Sequence, residues 1–321
     1  MAGRAVAALL ILLLLIPAGL RLAAAWREDE TGHPAATRMI ATPLGQVAAA
    51  TSGPEGGPSI LLIHGTAGWS GFWRDVSTHL AARGWRVIAV DLPPFGFSEH
   101  DPKARYDRFS QARRLSAVLG EAAAGPAVVV GHSFGAGAAT ELALRFPGRV
   151  KSLVLVDAAL GELDPAPAAP TLTDRALGTG VIAQPLVSAS VTNPWALGPL
   201  VRMMVARKES IDPWLVTLRQ PMRREGTTAA YAAWLPNLFL RDDGGWSRRS
   251  ERIAAIRVPV ALIWGEADTV TPIAQGERIA ELTKARSFAR LPGLGHIPHI
   301  EDPAAFLAAL DGAVAVDRER R

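Results

Sequence analysis

Ala127-Val128-Val129-Val130-Gly131-His132-Ser133-Phe134-Gly135-Ala136-Gly137-Ala138 is the stretch that decides how this chain folds. Its first four residues form a short apolar run, the pattern of a strand buried on both faces. Residues 136–146 read as a helix. Between the two lies Gly131-His132-Ser133-Phe134-Gly135, a serine with a glycine two positions away on either side. A turn this sharp brings strand and helix backbones almost into collision, so its neighbours must lack side chains. The same turn strains the serine and lifts its hydroxyl clear of the sheet. Ser133 is therefore the candidate nucleophile, and Gly131 to Gly135 a nucleophile elbow.

Working outward, the same alternation of strand and helix recurs. Strands are expected at residues 60–63, 87–90, 150–156, 260–264 and 286–291. Helices are expected at 72–83, closed by Gly84, at 109–123, at 273–282 and from about 303. Such alternation predicts an α/β domain, a mostly parallel sheet with helices on both faces. Residues 38–50 suggest a hairpin about Leu44-Gly45, and the polar residues 28–37 a linker. From 158 to about 250 the rhythm breaks, with Pro165, Pro167, Pro170, Pro185, Pro194 and Pro199 and helical patches near 200–207 and 227–235. An interruption of that length reads as an inserted helical cap rather than one loop. The expected organisation is a leader over 1–36, a core over 37–158 and 251–321, and the cap over 159–250.

A serine hydroxyl is nearly inert at neutral pH and needs a base, itself held by a partner. His296, in Gly293-Leu294-Gly295-His296 after the last strand, suits that role because an imidazole titrates near working pH. His299 is the fallback. His132 and His64 read as residues that shape backbone, and His33, His79 and His100 as surface. Asp268, in Gly265-Glu266-Ala267-Asp268, falls at the C-terminal edge of the sheet, where ligands gather in such folds. Asp157, ending Leu155-Val156-Asp157, and Glu266 are the alternatives. Oxyanion stabilisation needs two backbone N–H groups, each worth about 2.7–4 kcal/mol elsewhere. Phe134 supplies one in this reading, and Thr66 of His64-Gly65-Thr66-Ala67-Gly68 the other.

These segments, with Asp91-Leu92-Pro93-Pro94-Phe95-Gly96-Phe97-Ser98, resemble the α/β-hydrolase superfamily in its cap-bearing branch of esterases, lipases and carbon–carbon bond hydrolases. The resemblance spans residues 38–310. Relatives usually carry Gly where Pro94 stands. The order Ser, Asp, His is that of the superfamily. What the resemblance implies is a Ser133–His296–Asp268 catalytic triad acting through an acyl-enzyme, with no metal or organic cofactor required. Ser133 excludes the aspartate-nucleophile members of the fold.

Trp69, Trp73 and Phe134 are the expected substrate-binding residues. Trp195, Met203, Met204, Trp214 and Trp234 add apolar bulk from the cap, so a hydrophobic carboxylic ester is the expected substrate. A carbon–carbon bond hydrolase or a perhydrolase would use the same triad. A ligand-binding, receptor-like protein with little turnover is the alternative from another class, since fold alone does not fix function.

Composition narrows the field. The 321 residues include no cysteine, which excludes disulfides, a thiol nucleophile and thiolate metal sites. The net charge of +4 is spread along the chain, so nucleic acid is not an expected partner. Residues 5–20 carry no charge, with Arg4 before them and Arg21 after. Extended to Trp26, the run predicts a single-pass N-terminal membrane anchor. The alternative is a signal peptide cut after Ala23-Ala24-Ala25, leaving a secreted or periplasmic protein. Oligomeric state is not readable from the sequence.

Overall fold

The apolar runs become strands whose alternate side chains supply two separate cores. The computed structural model describes residues 2–30, 32–35, 37–166, 169, 171–239 and 244–319, so Pro167 and Pro170 of the expected cap lie outside it. The strands are β1 (Thr37–Thr42), β2 (Gly45–Ser52), β3 (Ser59–Ile63), β4 (Arg86–Val90), β5 (Ala127–His132), β6 (Val150–Val156), β7 (Val260–Gly265) and β8 (Ser287–Leu291). They form one sheet in the order β1-β2-β4-β3-β5-β6-β7-β8. β1 pairs with β2 and β2 with β4 antiparallel, and the remaining pairs are parallel.

β3, β5 and β7 are buried along their whole length, as central strands covered on both faces must be. Leu61, Ile63, Val129, Leu155 and Leu262 face helices Arg108–Ala122, Phe134–Arg145 and Ile273–Thr283. Their neighbours Ile60, Leu62, Val130, Val154 and Ile263 face helices Arg74–Ala82 and Pro303–Glu319. Each fully buried aliphatic side chain contributes roughly 1.5–3 kcal/mol against exposure, so the two faces together fix the sheet between its helices. The expected strand and helix positions agree with these elements to within a few residues. One exception is the helix expected at 72–83, which begins as a 3₁₀ turn, Ser70–Trp73, before continuing as Arg74–Ala82.

Between β6 and β7 the chain builds short helices, among them Gly180–Ala189, Leu197–Arg202 and Thr227–Trp234. Their apolar residues make a third core with residues of the sheet's C-terminal edge: Val187, Tyr231 and Trp234 pack with Phe95, Phe134 and Ile297.

The N-terminal helix Ala2–Arg27 departs from expectation. Among the described residues no helix is long and apolar enough to cross a membrane, and the single-pass anchor finds no support there. The side chains of residues 2–14, which hold most of the uncharged run, lie outside the description. The end of the helix docks on the insertion instead. Arg21 Nη2 donates to Gly180 O at 2.7 Å, and Ser188 Oγ donates to Leu20 O at 2.6 Å. Glu28 accepts the N–H groups of Gly226 and Thr228 at 2.9 and 2.7 Å, and Glu30 N donates to Arg223 O. The polar stretch expected as a linker is thus tied down at its start, because its acidic residues satisfy free N–H groups at a helix N-terminus.

Candidate active site

Ser133 follows β5 directly and precedes helix Phe134–Arg145. Its φ of 51° and ψ of −124° put a non-glycine residue in strained backbone. The elbow glycine after it is obligatory, since a Cβ on Gly135 would lie 2.3 Å from His64 O. His296 comes from the loop after β8 and Asp268 from the loop after β7. The structure brings the three together. His296 Nε2 lies 2.8 Å from Ser133 Oγ, and His296 Nδ1 lies 2.7 Å from Asp268 Oδ2. A carboxylate at Nδ1 can only accept, so Nδ1 carries the proton and Nε2 is left to take one from the serine.

Asp268 is heavily solicited. Oδ1 accepts Val270 N and Thr271 N, and Oδ2 accepts the Thr271 hydroxyl at 2.5 Å besides His296. Burial opposes its charge, but hydrogen bonds from His296 and Thr271 outweigh this and hold its carboxyl below the usual range. Asp157, the alternative acid, is the first residue beyond β6 and makes no hydrogen bond to His296. Glu266 is exposed and lies on the same loop as Asp268.

The other histidines divide clearly. His64 Nε2 accepts Leu92 N at 2.9 Å, so its Nδ1 is the donor to Gly65 O at 2.7 Å. Burial pushes it down to about 4, and it serves as a neutral brace for its loop. His132 Nε2 donates to His296 O at 2.7 Å and is likewise kept neutral by burial. His299, the fallback base, stacks on Trp73 at 4.4 Å, and burial lowers it to about 3. Such a group is a poor base at neutral pH.

The segments carrying the two expected oxyanion donors both reach the nucleophile. Phe134 opens its helix, where N–H groups lack intrahelical partners. Thr66 follows Gly65, whose backbone passes so close that a Cβ there would meet Ser133 Cβ at 2.8 Å. Of the expected substrate-binding residues, Phe134 packs against Trp234 at 5.1 Å and Phe95 at 6.5 Å beside the nucleophile. Trp73 does not line a cleft. It is wholly buried among Ile60, Val76 and Leu80, because its indole fills the space between β3 and the helix behind it. Trp69 turns the other way, donating to Thr217 O and packing on Phe97. Trp195 and Met203 point to solvent, whereas Trp214 lies against Phe72.

Two residues that carry the geometry were missed from sequence. Thr271 is one, orienting Asp268. Glu301 is the other: its buried carboxylate collects Gly295 N and Ile297 N, on either side of His296, and also Ala206 N and Arg207 N of the insertion. His296 N itself donates to Met204 O. A glutamate five residues after the predicted base was the signal available.

Asp157, Asp268 and His296 each bring one donor atom within 4.8 Å of the others, the grouping among the described residues that most resembles a cation site. Both imidazole nitrogens are already engaged by Ser133 and Asp268, so a proton relay accounts for the arrangement.

Comparison with known proteins places the fold in a family. A family model described as the alpha/beta hydrolase fold matches residues 58–303. A Mycobacterium tuberculosis protein named as a hydrolase, LipZ, is 26% identical, the match covering 85% of this chain and 93% of that one. The 2-hydroxymuconate semialdehyde hydrolase of a Pseudomonas species is 26% identical over 80% of this chain and 86% of its own. Among solved structures, a bacterial membrane phospholipase A superposes with a TM-score of 0.70 at 22% identity, covering 99% of this chain and 97% of that one.

Proposed function

The chain belongs to the α/β-hydrolase family, and from that premise we propose that it is a serine hydrolase cleaving a hydrophobic carboxylic ester. The observation that carries this is the unbroken relay from Ser133 Oγ through His296 to Asp268, at 2.8 and 2.7 Å. His296 takes the hydroxyl proton as Ser133 attacks the carbonyl carbon. The negative charge passes to the carbonyl oxygen, which the N–H groups of Phe134 and Thr66 receive. On collapse the same proton goes to the departing alkoxide, leaving an acyl-enzyme. Water, deprotonated by His296, then releases the acid and restores Ser133.

The insertion acts as a cap in this reading. Tyr231 and Trp234, each 4.8 Å from Phe95, form with Phe134 an aromatic wall over the nucleophile. Such a wall favours an apolar acyl group. The relative that hydrolyses 2-hydroxymuconate semialdehyde favours a second reading, carbon–carbon bond cleavage by the same relay. For the N-terminal helix we keep membrane attachment as its role, supported by the uncharged residues 5–20 and by the full-length match to a membrane phospholipase. Recovery of the intact protein in the soluble fraction after cell disruption overturns it.

The deciding experiment measures p-nitrophenyl ester hydrolysis across acyl lengths by the purified protein and by Ser133→Ala. Turnover that disappears in the variant supports the ester reading. A folded protein that turns over only a vinylogous diketone supports the second. Tight ligand binding without turnover of either would make it a receptor-like member of the family.

A further inference from the structure

Behind the triad acid lies a second carboxyl that the relay does not use. Asp157 is the first residue beyond β6, wholly buried and held at a φ of 41°. Its Oδ1 accepts Gly265 N at 2.9 Å, and its backbone oxygen lies 3.2 Å from the Thr271 hydroxyl, whose hydrogen goes to Asp268. Its Oδ2 is buried and has no hydrogen-bond partner among the described residues. The carboxyl oxygens of Asp157 and Asp268 approach within 4.8 Å of each other and of the His296 imidazole.

Two carboxylates this close in a buried site do not both ionise at neutral pH. The charged and titratable groups facing Asp157 are Asp268 and Glu301, both acidic, with His296 shared through Asp268. Asp268 has the donors that a carboxylate needs, from Val270, Thr271 and His296. Asp157 has one. Burial, and then the neighbouring Asp268 charge, push its carboxyl well above the usual range. An unpartnered acceptor oxygen buried in protein is costly, but the same atom bearing a hydrogen becomes a donor facing an acceptor.

We propose that Asp157 stands as a neutral carboxylic acid whose Oδ2–H is directed at the Asp268 carboxylate, the pair sharing one proton and one negative charge. It rests on the serine hydrolase reading for its role, and in that role Asp157 is a positioning residue. It holds Asp268 from behind while Thr271 holds it from the side. It also draws off part of the negative charge that stabilises the His296 imidazolium. The two carboxyls then titrate as a unit rather than as separate acids.

The test begins with infrared spectra of the full chain at neutral pH, recorded on the Ser133→Ala background so that catalysis plays no part. A protonated carboxylic C=O stretch that is lost on adding Asp157→Asn is expected. A spectrum without that band, or a band that survives the substitution, overturns the proposal. The second measurement is the acidic limb of kcat/KM against pH in proteins with Ser133 intact. Asp157→Asn keeps an acceptor for Gly265 N and a donor toward Asp268, so the limb stays within about 0.3 pH unit. Asp157→Ala removes the donor and leaves the full Asp268 charge facing His296, so the limb rises by roughly 0.5–1 unit. An Asn variant whose limb falls by about a unit means that a charge was lost, and Asp157 was ionised. If Asp157→Ala does not fold, the Asn variant and the infrared band still decide. If the unsubstituted protein hydrolyses no ester, the function reading fails while the band alone decides the state of Asp157.

Discussion

At the C-terminal edge of the sheet, Ser133, Asp268 and His296 stand on turns that leave β5, β7 and β8. The residues facing them from the insertion stand on helices of which the longest among the described residues, Gly180–Ala189, has 10 residues. On the sheet side β3, β5 and β7 each have a parallel neighbour on both edges and are buried end to end, while β8, which leads to His296, is the sheet's edge. On the insertion side the helices are so short that most of their terminal N–H and C=O groups must find partners outside the helix. Some do so through side chains of other regions, as with Glu28 at Gly226 and Thr228, or Glu301 at Ala206 and Arg207. Segments of this kind open locally at lower free energy than a buried sheet. Under the proposed function, the steps that depend on sub-ångström placement would fall to the rigid half, and selection among acyl groups to the adaptable one.

The largest expected effect tests the rigid half. Ser133→Ala lowers ester kcat on the order of 10⁴-fold or more with little change in thermal stability. A variant retaining a tenth of the activity would remove the nucleophile from the sheet edge altogether. Next, Glu301→Ala breaks a carboxylate that serves both halves. Freed N–H groups on either side of His296 loosen the base, and kcat falls by about 10–100-fold with a smaller change in KM. An effect confined to KM would assign Glu301 to the insertion alone. Trp234→Ala tests the adaptable half: opening space beside Phe134 raises the ratio of kcat/KM for long over short acyl esters by about tenfold. An unchanged ratio places the acyl site elsewhere.

The smallest effect is on stability. Burial holds His64 at about 4 and His299 at about 3, so both stay neutral in the folded protein while the unfolded chain protonates them below about 6.5. Lowered folded-state values of a base mean that the unfolded state binds more protons below pH 6.5, so stability falls with pH from there toward 4. The slope is at most about 1.4 kcal/mol per pH unit for each histidine. Urea midpoints at pH 7, 6 and 5 check it, and a midpoint that rises on acidification contradicts the burial of these rings.

Much of the sheet edge was legible because local constraints there are severe. Only glycine fits at position 135, and only a strand–turn–helix explains Gly131 to Gly135 after Ala127 to Val130. Asp268 and His296 were legible as a carboxylate and an imidazole in the loops that follow the last two strands of the sheet. Trp73 was misread because an indole beside a loop looks the same in sequence whether it lines a cleft or fills a core. Glu301 and Thr271 escaped for a different reason. Glu301 is bonded mostly to backbone N–H groups, which leave no mark in the sequence, and Thr271 matters through Asp268 three residues before it, a spacing with no motif of its own. The docking of Leu20, Arg21 and Glu28 on the insertion is likewise a long-range pairing with no local periodicity to announce it.

That docking gives the chain an unusual mechanical wiring. A pull applied at the N-terminus reaches Ser188, Gly226 and Thr228 before it reaches any strand, since Leu20, Arg27 and Glu28 are bonded there. Tension on the first helix is therefore delivered first to the insertion, and reaches the sheet through it.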